Sequence, residues 1–204
     1  MNDPLRTGDP MYQEALSTLS RLLDEARVAG DPEPASMTLA TVAADGRPDA
    51  RIVLLKQVDA RGLCFFTNYT STKAGDIATH PYVALCLHWK TVRDGVQVRA
   101  QGKATKLDAV ESDVYFATRS RPSQIGAWAS LQSRILPDRS ELEARFAEIE
   151  RRYADQAVPR PPNWGGYVVA PERIEFWYGA RFRLHERVCY EHGRDGWSKA
   201  LLYP

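Results

Sequence analysis

Apolar positions follow two different periods along this chain. Leu16, Leu19, Leu22, Leu23 and Ala26 recur every three or four residues and predict an amphipathic helix from about Pro10 to Ala29. Asp9 suits the N-cap, Pro10 the first helical position, and Gly30 ends the pattern. After a polar connector the period shifts to that of strands. Met37–Val42, Ala50–Val58 and Leu63–Thr67 are rich in β-branched and apolar residues. Asp45-Gly46 and Asp59-Ala60-Arg61-Gly62 between them read as turns, so the three segments predict an antiparallel meander.

Further on, residues 71–80 predict a short helix with Ser71 as its N-cap, and Val83–Trp89 and Val96–Leu107 predict two strands around Arg93-Asp94-Gly95. Asp108–Thr118 and Pro122–Ser130 read as short helices, the second capped by Ser123. Asp138–Tyr153 is amphipathic, with Leu142, Phe146 and Ile149 on one face. Tyr167–Ala170, Ile174–Tyr178, Leu184–Tyr190 and Trp197–Leu202 complete the strands. Short links between strands favour antiparallel pairing, hence an α+β barrel with peripheral helices rather than a doubly wound parallel sheet. One domain is expected over residues 1–204, with residues 1–35 forming the N-terminal helix and connector.

Charge narrows the function classes. Lys and Arg total 27 against 26 Asp and Glu, for a net charge of +1. No basic face or tail stands out, which argues against nucleic acid or an anionic membrane as the main partner. Three Cys without a C-x-x-C spacing argue against a disulfide framework or zinc site. The polar start MNDPLRTGDP and the lack of an apolar run near the ~20 residues of a membrane span point to a cytoplasmic protein. There is no G-x-G-x-x-G, no P-loop, no H-E-x-x-H and no G-x-S-x-G, and the four His are scattered, so no metal site is expected.

What remains is a set of cationic segments beside hydroxyl or aromatic residues. Arg51 and Lys56 end an apolar strand, and an odd separation sends them to opposite faces. Ser71-Thr72-Lys73 opens a helix, where free N–H groups, a hydroxyl and an ammonium suit a phosphate. Tyr115 and Arg119 share a helix face next to Ser123, a phenol, a guanidinium and a hydroxyl fit for a phosphate monoester. Arg183, His185 and Arg187 alternate onto one face of a strand that follows Trp177. Spacing leaves each segment two readings: an anion site, or solvated charges and ordinary caps.

Taken together, these segments resemble the pyridoxine/pyridoxamine 5′-phosphate oxidase family. The carriers are R-I-V-L-L-K (51–56), F-F-T-N (65–68), S-x-K (71–73), Y-F-x-x-R (115–119), S-Q-I-G-A-W-x-S-x-Q-S (123–133), W-G-G-Y (164–167), I-E-F-W (174–177) and R-L-H-E-R (183–187). The resemblance implies a split β-barrel, a homodimer and FMN at the subunit interface. It assigns FMN to Arg51, Ile52, Val53, Leu54, Leu55, Lys56, Phe66, Thr67, Thr72, Lys73, Gln97, Gln132, Ser133, Trp177 and Arg187. It assigns the substrate to Lys56, Tyr115, Arg119, Ser123, Arg183, Leu184 and His185, with Arg183 and His185 as the catalytic pair over the substrate ring.

The implied activity is oxidation of pyridoxine or pyridoxamine 5′-phosphate to pyridoxal 5′-phosphate, with O2 as acceptor. The alternatives on the same scaffold are an FMN oxidase of another substrate, such as a phenazine precursor, and a non-catalytic flavin or pyridoxal-phosphate carrier. The chain departs from the family pattern where Thr72, Val96 and Leu201 replace Arg, and residues 1–14 lack a clear match to its basic, tyrosine-bearing N-terminal segment. The lost cation at Thr72 predicts weaker cofactor retention than the family norm.

Overall fold

A computed structural model describes residues 7–204; part of the N-terminal segment compared above, residues 1–6, lies outside them. Helix α1 (Pro10–Val28) begins as expected, with Asp9 Oδ1 accepting from the Met11 and Tyr12 amides at 2.8 and 3.4 Å. Its stripe of Tyr12, Ala15, Leu16, Leu19, Leu22, Leu23 and Ala26 is buried in the main core.

The strands are β1 (Ser36–Val42), β2 (Pro48–Leu54), β3 (Gln57–Asp59), β4 (Gly62–Asn68), β5 (Tyr82–Trp89), β6 (Val96–Lys106), β7 (Trp164–Tyr178), β8 (Glu186–Gly193) and β9 (Gly196–Leu202). They form one curled antiparallel sheet in the order β2-β1-β5-β6-β7-β4-β3, with β8 and β9 added beside β7. This is the split-barrel architecture. Helices α2 (Thr72–Thr79), α3 (Ala109–Ala117), α4 (Arg121–Ala129) and α5 (Arg139–Arg152) complete the chain. No described helix is long and apolar enough to cross a membrane.

The meander is overturned. The segment expected as one strand, Ala50–Val58, breaks after Leu54. Leu55 turns into the core, its amide donating to Ala35 O, while the Lys56 amide donates to Cys64 O, both at 2.8–2.9 Å. The chain thereby leaves its pairing with β1 and takes up pairing with β4, which lies at the far end of the strand order.

Two further strand expectations change. Tyr167–Ala170 and Ile174–Tyr178 are one long strand, β7, because a bulge opposite Gln101/Gly102 absorbs Glu172 without ending the ladder, and Pro171 still stands opposite Gly102. The strand expected from Leu184 starts only at Glu186. Arg181–Arg183 form a short 3-10 turn in which Phe182 and Arg183 take φ of 57° and 61°, and left-handed residues cannot continue a strand. Alternation therefore does not place Arg183, His185 and Arg187 on one strand face.

Ser120 rather than Ser123 holds the N-cap position of α4, by position alone, since its hydroxyl bonds Ser123 Oγ; Ser123 is already the third residue of the helix, after Arg121 and Pro122. A second apolar cluster, Phe116, Ile125, Ile149, Tyr153, Val158 and Trp164, packs α3, α4 and α5 against the start of β7.

Candidate active site

Between β2, the start of α2 and the α3–α4 turn lies a cavity of about 480 Å³. Arg51, Ile52, Val53 and Leu54 line it from β2, Lys56 from the β2–β3 link, Phe66 and Thr67 from β4, and Lys73 from α2. Tyr115, Arg119, Ser120, Ser123, Gln132 and Trp164 close the other side. Arg51 and Lys56 thus reach one cavity rather than opposite faces, because the strand ends between them and parity no longer applies. Tyr115 and Arg119 also meet there, although α3 ends at Ala117 before Arg119.

One wall is aromatic. The rings of Phe66 and Tyr115 stack at 3.9 Å and 18°, and Trp164 lies nearly parallel to both. Gly166 permits this arrangement: a Cβ there would meet Leu107 at 2.5 Å and Phe66 at 2.8 Å. The Arg119 guanidinium sits over Trp164, 4.7 Å from the ring centroid.

Among the described residues, four cations, Arg51, Lys56, Lys73 and Arg119, line the cavity, and no carboxylate does. Lys73 is 9% exposed, with its ammonium donating to Gln132 Oε1 at 3.0 Å and Ser71 Oγ at 3.4 Å. Burial and the neighbouring Arg51 charge lower its pKa, against a smaller upward pull from Asp49 and Asp76. Thr67 Oγ1 also donates to Gln132 Oε1, at 3.1 Å. Ser71 caps α2 through position alone, since its hydroxyl donates to Asn68 O. Burial likewise lowers the Arg119 pKa, and its Nη1 is buried without a hydrogen-bond partner. Buried or half-buried positive charge at Lys73 and Arg119, outside any ion pair among the described residues, is costly, so the cavity suits anions, phosphates above all.

The remaining expected residues gather elsewhere. Gln97 pairs with Trp177, and Trp177 with Arg187, across β6, β7 and β8. The His185 ring packs on Trp177 at 4.5 Å between centroids. His185 Nδ1 accepts from the Ala180 amide at 3.1 Å, so the neutral ring carries its proton on Nε2. Arg187 is held by Glu175, 3% exposed, through Nε at 2.9 Å and Nη2 at 2.8 Å. Arg183 and Leu184 are exposed on the adjoining turn. None of these residues lines the cavity, nor do Thr72, exposed at the start of α2, or Ser133, beside Gln132.

Residues 23–153 match the family model for pyridoxamine 5′-phosphate oxidase, and residues 164–204 match that for the pyridoxine 5′-phosphate oxidase C-terminal dimerisation region. The chain belongs to the pyridoxamine 5′-phosphate oxidase family. It is 50% identical to the pyridoxine/pyridoxamine 5′-phosphate oxidase of Xanthomonas euvesicatoria pv. vesicatoria, over 95% of this chain and 98% of the relative. Identity to the corresponding protein of Myxococcus xanthus is 48%, over 94% and 92%. Among solved structures, PhzG from Burkholderia lata in complex with tetrahydrophenazine-1-carboxylic acid superposes with a TM-score of 0.89 at 34% identity, covering 100% of this chain and 98% of that one. A pyridoxamine 5′-phosphate oxidase-related, FMN binding protein from Nostoc punctiforme shares the fold at a TM-score of 0.71 and 18% identity, covering 92% and 96%.

The dimerisation match supports a homodimer, and it covers Trp177, Arg183, His185 and Arg187 of the second cluster. Two cavity residues, Ser120 and Trp164, escaped the sequence-based site. Trp164 stands in the W-G-G-Y motif, so a signal for it existed; Ser120 reads there only as part of a polar turn.

Proposed function

We propose that the protein is an FMN-dependent oxidase that converts pyridoxine or pyridoxamine 5′-phosphate to pyridoxal 5′-phosphate, acting as a homodimer with the flavin at the subunit interface. The cavity carries this reading: four cations without a lining carboxylate suit two separate phosphates. Arg51 and Lys73 serve the cofactor phosphate, with Ile52 to Leu54, Phe66, Thr67 and Gln132 around the flavin. Lys56, Tyr115, Arg119 and Ser123 hold the substrate phosphate. The unpartnered Arg119 Nη1 is the donor that a phosphate oxygen would satisfy.

The partner subunit supplies the second cluster. Gln97, Trp177 and Arg187 complete the flavin pocket, and Arg183 and His185 cover the substrate ring. Arg183 orients the substrate and stabilises charge on its ring oxygen. His185 offers its Nε2–H as a donor, a state held by the Ala180 amide. When bound, FMN supplies the two-electron acceptor: the substrate C4′ carbon gives up a hydride equivalent, and O2 ends as H2O2. Pyridoxine phosphate and O2 then give pyridoxal phosphate and H2O2. Pyridoxamine phosphate also consumes one water and releases ammonia.

The likeness to PhzG supports a second reading, oxidation of a phenazine precursor. Incubating the purified, flavin-loaded protein in air with each candidate substrate separates the two. Pyridoxine 5′-phosphate is expected to yield H2O2 and pyridoxal phosphate, and to bleach the flavin band anaerobically. No bleaching and no H2O2 with either phosphorylated vitamer would overturn the proposal.

A further inference from the structure

We infer that Asp76 and Thr41, neither of which lines the cavity, are positioning residues that aim Arg51 at the cofactor phosphate through a one-directional hydrogen-bond relay. This deepens the reading above and rests on its assignment of the Arg51 end of the cavity to FMN.

Both residues are buried polar groups, Thr41 at 1% and Asp76 at 7% exposure. Thr41 comes from β1 and Asp76 from α2, the helix that also carries Lys73. Thr41 Oγ1 donates to Asp76 Oδ2 at 2.7 Å, and Arg51 Nη1 donates to Thr41 Oγ1 at 2.6 Å. An ionised carboxylate can only accept and a guanidinium can only donate. The single hydroxyl proton therefore goes to Asp76, and its lone pairs face Arg51. Leu39 O takes a second bond from Nη1 at 3.3 Å, and Asp76 Oδ2 stands 3.7 Å from Nη2. Arg51 is thus held by three residues that do not themselves line the cavity it lines.

Charge supports the same role. Arg51 and Lys73 are like charges serving one end of the cavity, and the Arg51 charge pushes the Lys73 ammonium down while Asp76 and Asp49 oppose that shift. Asp49 is exposed and bonds Arg51 Nη2, so water screens that contact. Asp76 is buried and keeps its contact when a ligand binds.

The test measures FMN and riboflavin affinity on the full-length apoprotein by flavin fluorescence quenching, for wild type, Asp76→Asn, Thr41→Val and Arg51→Ala. Riboflavin has the ring but no phosphate. Wild type is expected to bind FMN more tightly than riboflavin. Asp76→Asn and Thr41→Val are each expected to weaken FMN about tenfold, the scale of a hydrogen bond to a charged group, with riboflavin changed less than about twofold on the same scale. Adding Asp76→Asn to Arg51→Ala is expected to cost clearly less than Asp76→Asn costs alone, because the relay acts through Arg51 and only the pull of Asp76 on Lys73 is left. Equal weakening of both flavins would mean a scaffold role and overturn the inference, as would unchanged FMN affinity in both single variants. If wild type does not distinguish FMN from riboflavin, the phosphate assignment itself falls, an outcome separable from the others because it appears before any substitution.

Discussion

The Arg119 guanidinium sits over Trp164, 4.7 Å from the ring centroid, with one terminal nitrogen buried and unpartnered. Trp164 is in turn fixed in the stack with Phe66 and Tyr115, and its carbonyl accepts from Arg160 Nη1 at 2.6 Å. A planar cation on an indole face is partly stabilised there, yet keeps its edge free to meet a phosphate. The aromatic wall thus holds the guanidinium in place before any anion arrives.

Replacing Arg119 by Lys should therefore cost more than a retained charge suggests. Lysine loses the stacked plane and the paired donors. Steady-state kinetics with pyridoxine 5′-phosphate should show KM raised about tenfold or more, the size of a lost charge-assisted bond. FMN affinity should stay the same, since the proposed reading puts Arg119 at the substrate end. A parallel loss of FMN affinity would reassign Arg119 to the cofactor.

The family resemblance puts Thr72 near the proposed cofactor end instead. It is exposed at the first position of α2, beside the Lys73 that lines the cavity. Thr72→Arg should tighten FMN about two- to fivefold at low salt, the yield of one exposed ion pair, and the gain should shrink as salt screens it. Flavin titration at two ionic strengths measures both effects. Nanomolar FMN affinity in the unaltered protein would contradict the weak retention expected from its missing cation.

Helix α1 was legible because every local signal agreed: Asp9 and Pro10 at its start, leucines at helical spacing, Gly30 at its end. The break after Leu54 was not. Val53-Leu54-Leu55 is unbroken apolar sequence, and the corner is set by distant acceptors on Ala35 and Cys64. The turn at Phe182 and Arg183 hid for a similar reason, since neither residue type announces a left-handed conformation. At the site, the cationic segments were visible one at a time. Their convergence followed from the family resemblance, as spacing alone left solvated charges open at each segment. Thr41 and Asp76 carried no signal: one looks like an inward strand residue, the other like an ordinary helix carboxylate.

Glu175 is the most deeply buried carboxylate of the C-terminal region, ringed by Arg173, Arg187 and Arg99 at 3.0, 2.8 and 3.7 Å. Burial alone would raise its pKa, but the bonds from Arg187 and Arg173 and the surrounding positive charge outweigh that and lower it. A carboxyl with a lowered folded pKa contributes stability above its unfolded value of 4.5, and the contribution disappears as pH falls through the folded value. Glu175→Gln should destabilise the protein at pH 7 by about 3 kcal/mol, the cost of breaking a buried ion pair. Thermal melts of the two proteins should converge as pH drops below 4.5, because wild type loses there what the variant already lacks. A constant gap between the melting curves down to the lowest pH would show that charge at Glu175 is not the stabilising element.

The separation of the cavity from the Trp177–His185–Arg187 cluster makes a prediction about assembly. Arg119 lines the cavity, whereas Arg183 lies in the matched dimerisation region and outside it. If each site takes Arg119 from one subunit and Arg183 from the other, Arg119→Ala and Arg183→Ala homodimers are both defective at both sites. A mixed dimer then has one site with both defects and one with neither. Unfolding and refolding the two variants together in equal amounts should place half the chains in mixed dimers, restoring about one quarter of wild-type specific activity. Mixing two separately folded preparations without exchange should restore none. If co-refolding also yields no recovery while the mixed dimers are shown to form, both residues act within one subunit, and the composite interface site is wrong.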